Sequence, residues 1–393
     1  MSDQQYRPPL KYAMVGGGSG SFIGAVHRKA AALDGRAELV AGALSSTPER
    51  SLASAREIGL DEARAYASWQ EMLERESARP ESERPDFVSI VTPNDTHYPV
   101  AKAALGAGLH VVCDKPFTHT VEQAAELRDL AALKGLVCCV TYNYSGYPMV
   151  REASELARTG ALGALRKVHV EYHQGWLATR LEDTGMKQAA WRTDPKRAGL
   201  GGALGDIGTH AEQLMRFVTG LEIDTLCADC TSFVEGRALD DDASVLLRFA
   251  ERDGVRAKGV MTVSQVCTGE GNPLTLRVYG ERGGLRWKQE TPETITLLSV
   301  DSDPRTLSRG NDTLSDRAQR ATRLPGGHPE GFIEAFANIY LGAIEAIELA
   351  KAGRPVPPAS LAAEIPQAQD GLEGVRFVER CVSSDGAWVS LDA

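Results

Sequence analysis

The chain has no apolar run approaching the length of a bilayer crossing, no long block of one charge sign, and no internal repeat or low-complexity tract. The first absence excludes a membrane-spanning helix, so no membrane partner is expected. The second removes an electrostatic grip on nucleic acid, because 43 basic and 53 acidic residues leave a formal net charge of -10. The N-terminal stretch from Met1 to Pro9 has neither an apolar signal core nor a twin-arginine pattern, and a cytoplasmic location is expected. Cysteine is sparse, with seven in 393 residues, which points to reduced thiols rather than a disulfide framework. Cys227 and Cys230 formally make a CxxC, but there is no second pair and no histidine at finger spacing, so strand packing is expected and no metal site. What is present is 42% hydrophobic and 24% charged, in a chain long enough for two domains that each bury a core.

Leu10 to Gly17 reads as a short apolar strand that breaks into glycines and leads into a helix over Ile23 to Leu33. The turn has the first two glycines of a dinucleotide-binding fingerprint, Gly16 and Gly18, but lacks the third. Ser21 stands in its place, with Gly24 as the candidate replacement in a lengthened loop. Backbone N–H groups at such a strand-to-helix turn hold a pyrophosphate, so Gly16, Gly18, Ser21, Phe22 and Ile23 are candidate cofactor-binding residues. A glycine-rich turn without a ligand is the alternative. The next strand, Glu38 to Leu44, ends at Ser45-Ser-Thr-Pro-Glu-Arg50 without the acid that usually takes the ribose hydroxyls of NAD. Ser45 and Arg50 would suit a 2′-phosphate instead, which leans the expectation towards NADP, unless Arg50 only faces water.

The alternation continues through strands at 86–93, 110–114 and 136–141 and helices at 98–107 and 121–133. These strands are continuously apolar, as expected of a parallel sheet covered on both faces, so residues 1–145 are predicted to form a doubly wound α/β nucleotide-binding (Rossmann) domain. The charged segment Glu74 to Arg84 is expected to be a surface insertion. After a helix at 147–158 the pattern changes to strands at 165–172, 243–250, 257–266, 275–280, 285–289 and 294–299. Short turns such as Arg252 to Gly254 and Glu281 to Gly284 separate them, the pattern of antiparallel meanders in an α+β second domain over residues 146–393. Leu298 to Gly327 is expected to be an irregular excursion, followed by helices at 329–352 and 367–382.

Two motifs fall at the carboxyl ends of parallel strands, where ligands bind in open α/β sheets: Thr92-Pro-Asn-Asp-Thr-His97 and Cys113-Asp-Lys-Pro-Phe117. Lys115 is then held at the crevice, or is an ordinary turn lysine. In the second part, Gly199-Leu-Gly-Gly-Ala-Leu-Gly-Asp-Ile-Gly-Thr-His210 runs from a glycine-rich loop into an amphipathic helix. Asp206 and His210 share one helix face. Either they form a functional pair, or Asp206 caps the helix and His210 is an ordinary partly buried histidine. Gln174-Gly-Trp176 and Trp191-Arg192 lie in a long predicted loop, Trp176 to Leu200, where aromatic faces and a guanidinium suit a polyhydroxylated ring. Trp191 equally suits a core or dimer contact.

Taken in order, the glycine turn at Gly16, Thr92-Pro-Asn94 with His97, Asp114-Lys-Pro116, Tyr142-Asn143, Gly205-Asp-Ile-Gly-Thr-His210 and the closing Asp370-Gly-Leu372 helix resemble the Gfo/Idh/MocA family over nearly the whole chain. That family is named for glucose–fructose oxidoreductase, inositol dehydrogenase and a rhizopine-catabolism protein. The resemblance implies an NAD(P)-dependent oxidoreductase that transfers a hydride between nicotinamide and a secondary hydroxyl or ketone of a sugar, sugar derivative or cyclitol. It implies a second domain built on a large open, mostly antiparallel sheet, a homodimer or homotetramer made through that sheet, and substrate in the cleft. Lys115, Asp206 and His210 take the catalytic roles by this resemblance. Thr92, Pro93, Asn94, His97, Asp114, Lys115 and Asn143 join the cofactor-binding set, and Tyr144, Trp176, Trp191 and Arg192 the substrate-binding set. Asp114 departs from the family, where glutamate is common. A non-catalytic dinucleotide-binding sensor, or a reductase of an imine or another carbonyl, remain alternatives.

Overall fold

The computed structural model describes residues 8–392 except Asp253. Met1 to Arg7, within the stretch read for targeting signals, and Asp253 of the expected 252–254 turn lie outside the described residues. Among the described residues, five strands form one parallel sheet: β1 (Leu10–Gly16), β2 (Ala37–Ala43), β3 (Phe87–Val91), β4 (His110–Cys113) and β5 (Cys138–Val140). The helices between them are α1 (Phe22–Ala32), α2 (Pro48–Glu57), α3 (Trp69–Ser77), α4 (His97–Gly106) and α5 (Val121–Lys134). β3, β4 and β5 are buried along their whole length, so their sequences read as apolar runs rather than alternating ones. The strand order β2-β1-β3-β4-β5 reverses between β1 and β3, which opens a crevice outside the carboxyl ends of those two strands.

The predicted insertion at Glu74 to Arg84 is corrected in its first part. Glu74 to Ser77 continue α3, an amphipathic helix that Ser68 caps by accepting from the Glu71 N–H at 3.2 Å and that buries Met72 and Leu73. Glu74 and Arg75 are on the wet face of a helix rather than in a loop, while Glu76 is buried and paired with Arg64 and Arg79.

The helix α6 (Pro148–Arg158) leads into a second sheet of nine described strands. They are β6 (Leu165–His173), β7 (Ile223–Thr231), β8 (Asp242–Phe249), β9 (Lys258–Ser264), β10 (Leu274–Gly280), β11 (Gly283–Lys288), β12 (Thr294–Ser299), β13 (Arg305–Ser308) and β14 (Val389–Ser390). The order is β13-β12-β11-β10-β6-β9-β8-β7-β14, and among the described pairings only β6 with β9 is parallel. Burial alternates along β8, with Ala243, Val245, Leu247 and Phe249 inward and Ser244, Leu246 and Arg248 exposed, so the sheet has one packed and one open face. Cys227 and Cys230 sit on β7 at positions of opposite parity and therefore project from opposite faces.

Two predicted loops contain structure. Trp176 to Leu200 includes the short helices α7 (Lys187–Arg192) and α8 (Pro195–Ala198), and Leu298 to Gly327 includes β13 and α10 (Asp316–Arg320). Elements this short give no full period of burial, which hides them in a polar sequence. The remaining helices are α9 (Thr209–Thr219), on the packed face of the second sheet, and α11 (Phe332–Lys351) and α12 (Ala368–Ser384). α11 lies beside α1 on one face of the parallel sheet, and Tyr340 sends its hydroxyl to His27 Nδ1 at 2.7 Å and Ser89 Oγ at 2.8 Å. α12 packs against α5 on the other face.

His110, at the start of β4, accepts the Val137 N–H on Nδ1 at 2.9 Å, which only a neutral, Nε2-protonated ring can do. Burial, against the pull of Asp86 and with Lys351 nearby, lowers its pKa to about 4. A base with a depressed folded pKa contributes stability above its unfolded value of about 6.5 and loses it as pH falls towards about 4. Urea unfolding is therefore expected to show about 2 kcal/mol less stability at pH 5 than at pH 7 from this group. His110→Asn, which keeps an acceptor and cannot titrate, should flatten that part of the dependence; an unchanged slope would refute the assignment.

Candidate active site

The first boundary of the site is the turn between β1 and α1. Ser21 caps α1, its Oγ accepting from the Gly24 N–H at 3.1 Å, and Gly18 N–H donates to Leu44 O at 3.1 Å. A Cβ on Gly24 would overlap the Gly17 carbonyl, so the close approach of helix to loop is made at Gly24, while Ser21 supplies the cap. Phe22 and Ile23 open α1 and present the free N–H end of that helix to the crevice. Ser45 follows β2 at the crevice edge, and Arg50 is exposed on the first turn of α2.

The next motifs bring two loops together. His97 is fully buried, with Nδ1 2.8 Å from Pro116 O and Nε2 3.0 Å from Thr92 O. Its ring ties the end of β3 to the end of β4 and offers no nitrogen to a ligand. Asn94 Nδ2 donates to Ala198 O at 2.9 Å, which joins this loop to α8 of the second part of the chain. Asp114 Oδ1 accepts from the Lys115 N–H at 2.8 Å and Thr141 Oγ1 at 3.1 Å. Thr92 Oγ1 and Asn143 Nδ2, at the ends of β3 and β5, are buried without a hydrogen-bond partner among the described residues. Orphaned polar atoms lining a switch-point crevice below a glycine loop fit a dinucleotide cofactor.

The second motif begins with a widened turn. Leu204–Gly208 is π-helical and passes directly into α9. Its start is capped from 36 residues away in the chain: Asp240 accepts from Gly202 N–H at 2.7 Å and Leu204 N–H at 2.8 Å. Burial pushes the Asp240 carboxyl up to about 6, against the two N–H groups that favour its charge. Because Asp240 is the cap, Asp206 does not serve as one, and its carboxylate points elsewhere.

Asp206 meets two cations and an amide. Lys115 Nζ lies 3.0 Å from Oδ1 and also donates to the Asp206 carbonyl oxygen; Arg192 Nε lies 3.0 Å from Oδ2, and Gln265 Nε2 donates to Oδ2 at 2.8 Å. Burial alone would raise this carboxyl's pKa, but Arg192 and Lys115 hold it well below the usual carboxylate range. Arg192 also lies over two indoles, 4.2 Å from the ring centre of Trp191 and 5.9 Å from that of Trp176.

His210, one π-turn on, is 7% exposed and enclosed by tyrosine rings: Tyr144 at 4.8 Å, Tyr142 at 5.8 Å and Tyr172 at 6.5 Å between centres. Burial first and Lys115 second push its pKa well below the usual histidine value, against the pull of Asp206. The ring is neutral at physiological pH, and its buried Nδ1 has no partner among the described residues. Sequence reasoning missed Gln265, Asn272 and Tyr172, which line the same wall, and the cap Asp240. Polar residues at or beside strand ends carry no local signature of this kind.

A parallel nucleotide-binding sheet, a second open sheet, and a lysine from one meeting a carboxylate from the other define a two-domain dinucleotide-dependent oxidoreductase. Residues 10–142 match the model of an oxidoreductase family with an NAD-binding Rossmann fold, and residues 150–286 match that of the Gfo/Idh/MocA C-terminal domain. The chain belongs to the Gfo/Idh/MocA family of oxidoreductases. It is similar to an inositol dehydrogenase homolog from Azotobacter vinelandii complexed with NAD+, at 36% identity over 98% of both chains and a TM-score of 0.92. That homolog is also known with NADH and myo-inositol. An oxidoreductase from Sinorhizobium meliloti is 46% identical over 98% of this chain and 100% of its own, with a TM-score of 0.86. Levoglucosan dehydrogenase from Pseudarthrobacter phenanthrenivorans is 27% identical over 82% of each chain. No described helix is long and apolar enough to cross a membrane.

Proposed function

We propose that this protein oxidises a secondary hydroxyl of a sugar, sugar derivative or cyclitol, with Lys115, Asp206 and His210 acting on the reacting oxygen. The observation that carries this reading is the meeting of Lys115 with Asp206 at 3.0 Å, across 91 residues of chain and two sheets. The roles follow from charge. His210, kept neutral, has a lone pair for the hydroxyl proton. Lys115 stabilises negative charge as it grows on the oxygen, and ionised Asp206 fixes the ammonium in place. When bound, the nicotinamide accepts the hydride released from carbon. Gly16, Gly18, Phe22, Ile23, Thr92 and Asn143 would hold the dinucleotide, and Tyr144, Trp176, Trp191 and Arg192 would surround the ring. Ser45 and Arg50, with serine rather than an acid directly after β2, support a preference for NADP. The open face of the nine-stranded sheet, where Leu246 is 48% exposed, is the proposed homo-oligomer contact.

A panel of aldoses, sugar derivatives and cyclitols with NAD and with NADP, followed by nicotinamide absorbance, tests the reading. At least one pair should turn over, with a higher kcat/KM for NADP. Silence from every pair while cofactor binds would overturn the enzymatic reading, and a higher kcat/KM for NAD would overturn the cofactor preference.

A further inference from the structure

Behind Asp206 runs a continuous chain of neutral polar side chains. Gln265, 2% exposed at the end of β9, donates from Nε2 to Asp206 Oδ2 at 2.8 Å and to Gln174 Oε1 at 3.4 Å. Gln174 Oε1 also accepts from Trp176 Nε1 at 2.9 Å, and Gln174 Nε2 donates to Asn272 Oδ1 at 2.6 Å. Tyr172 donates its hydroxyl to the same Asn272 oxygen at 2.8 Å, and Asn272 Nδ2 reaches Tyr144 Oη at 3.5 Å. The Tyr144 and Tyr172 hydroxyls are 2.5 Å apart, and the Tyr144 ring packs edge-on against His210. The chain thus starts at Asp206 and returns to the histidine one turn further on.

The direction of every bond in this chain follows from one end. An ionised carboxylate only accepts, so Gln265 must turn its NH2 to Asp206. The second hydrogen of that NH2 then faces Gln174 Oε1, which already accepts from an indole, so Gln174 must donate to Asn272. Asn272 Oδ1 takes two donors, Tyr172 spends its proton there, and the Tyr144 proton is left for the Tyr172 oxygen. The backbone of Gln265 is pinned as well, by Gln265 N–H to Asp241 O at 2.8 Å and Leu177 N–H to Gln265 O at 3.0 Å.

Resting on the catalytic reading of Asp206 and His210 above, we infer that Gln265 is the positioning residue of this site. It acts through Asp206, setting the carboxylate rotamer that Lys115 and the substrate hydroxyl use, and through Gln174 and Asn272 it orders the hydroxyls beside His210. It does so as a neutral donor, which leaves the charge balance of Lys115, Arg192 and Asp206 unaltered.

The test compares Gln265→Leu and Gln265→Glu with wild type in the full-length protein. Losing one hydrogen bond to a charged group should lower kcat with Gln265→Leu by about 10- to 100-fold at every pH, with KM for the cofactor changed less than about two-fold. Gln265→Glu keeps the shape but sets two carboxylates at hydrogen-bond distance, which must share a proton to coexist. Its kcat should be low at pH 8 and recover at least about 10-fold by pH 6, where the introduced carboxyl is protonated and again donates to Asp206. A merely structural glutamine predicts loss without that acid rescue. The second readout needs no substrate: because Trp176 is hydrogen-bonded to Gln174, Gln265→Glu should show a pH transition in indole fluorescence between about pH 5 and 8, absent from wild type and from Gln265→Glu with Trp176→Phe. Parallel pH profiles, or a fluorescence titration identical to wild type, overturn the positioning role. An inactive wild type that still shows the Gln265→Glu transition overturns the dehydrogenase reading and leaves the ordering role of Gln265 supported.

Discussion

Lys115→Ala is expected to lower kcat/KM about a thousand-fold while cofactor affinity stays within about two-fold. The ammonium is the positive charge held against Asp206 Oδ1, and Lys115 stands two residues past the end of β4. The fold should survive, because Asp206 keeps Arg192 and Gln265 at 3.0 and 2.8 Å. A second consequence separates a catalytic lysine from a structural one. Lys115 is one cause of the low pKa of His210, so its removal should raise that pKa. The base form then disappears at a higher pH, and the acid limb of log kcat/KM should move upward in Lys115→Ala relative to wild type, whose limb lies below pH about 6.5. Lys115→Arg should leave the limb near its wild-type position. Turnover within ten-fold of wild type, or an unmoved limb, would sink the assignment.

Asp240→Ala is expected to cost about 3 kcal/mol in urea or thermal unfolding. Its carboxylate accepts from Gly202 N–H and Leu204 N–H, and alanine leaves both donors of a largely buried turn without partners. The turn it caps is the π-helical one that carries Asp206 and delivers His210, so the variant should also lose activity at temperatures where it remains folded. Asp240→Asn, with one acceptor oxygen instead of two, should fall between the two proteins in stability. A loss below about 1 kcal/mol for Asp240→Ala would show that water replaces the cap and that the turn is held by the sheet alone.

The strand-and-glycine opening, the parallel sheet and the meandering second sheet were legible because each rests on a short period in the chain. A run such as Phe87–Val91 announces a strand buried on both faces, and β8 announces one wet face by alternating along its own length. The motif residues Lys115, Asp206 and His210 were legible as a set for a different reason, since their order and spacing resemble a family. Their partnership was not. Nothing within a few residues of Asp206 says whether it caps its helix or leaves it, and the answer came from Asp240, in the loop before β8. The two predicted loops failed similarly: α7, α8, α10 and β13 are too short to show a period.

By itself the sequence determined what the longer segments are, from strand and helix periods, from the glycines that let α1 approach its loop, and from the residue types at the strand ends. Tertiary structure alone decided what each segment meets. It laid α11 and α12, from the far end of the chain, on the two faces of the first sheet, fixed His97 as a buried tie between loops, and set Gln265 and Arg192 on the second oxygen of Asp206. The physical reason is range: backbone and burial preferences act over a few residues and leave a periodic trace, whereas a hydrogen bond between Lys115 and Asp206 exists only once the folding of both sheets has brought distant residues within 3.0 Å.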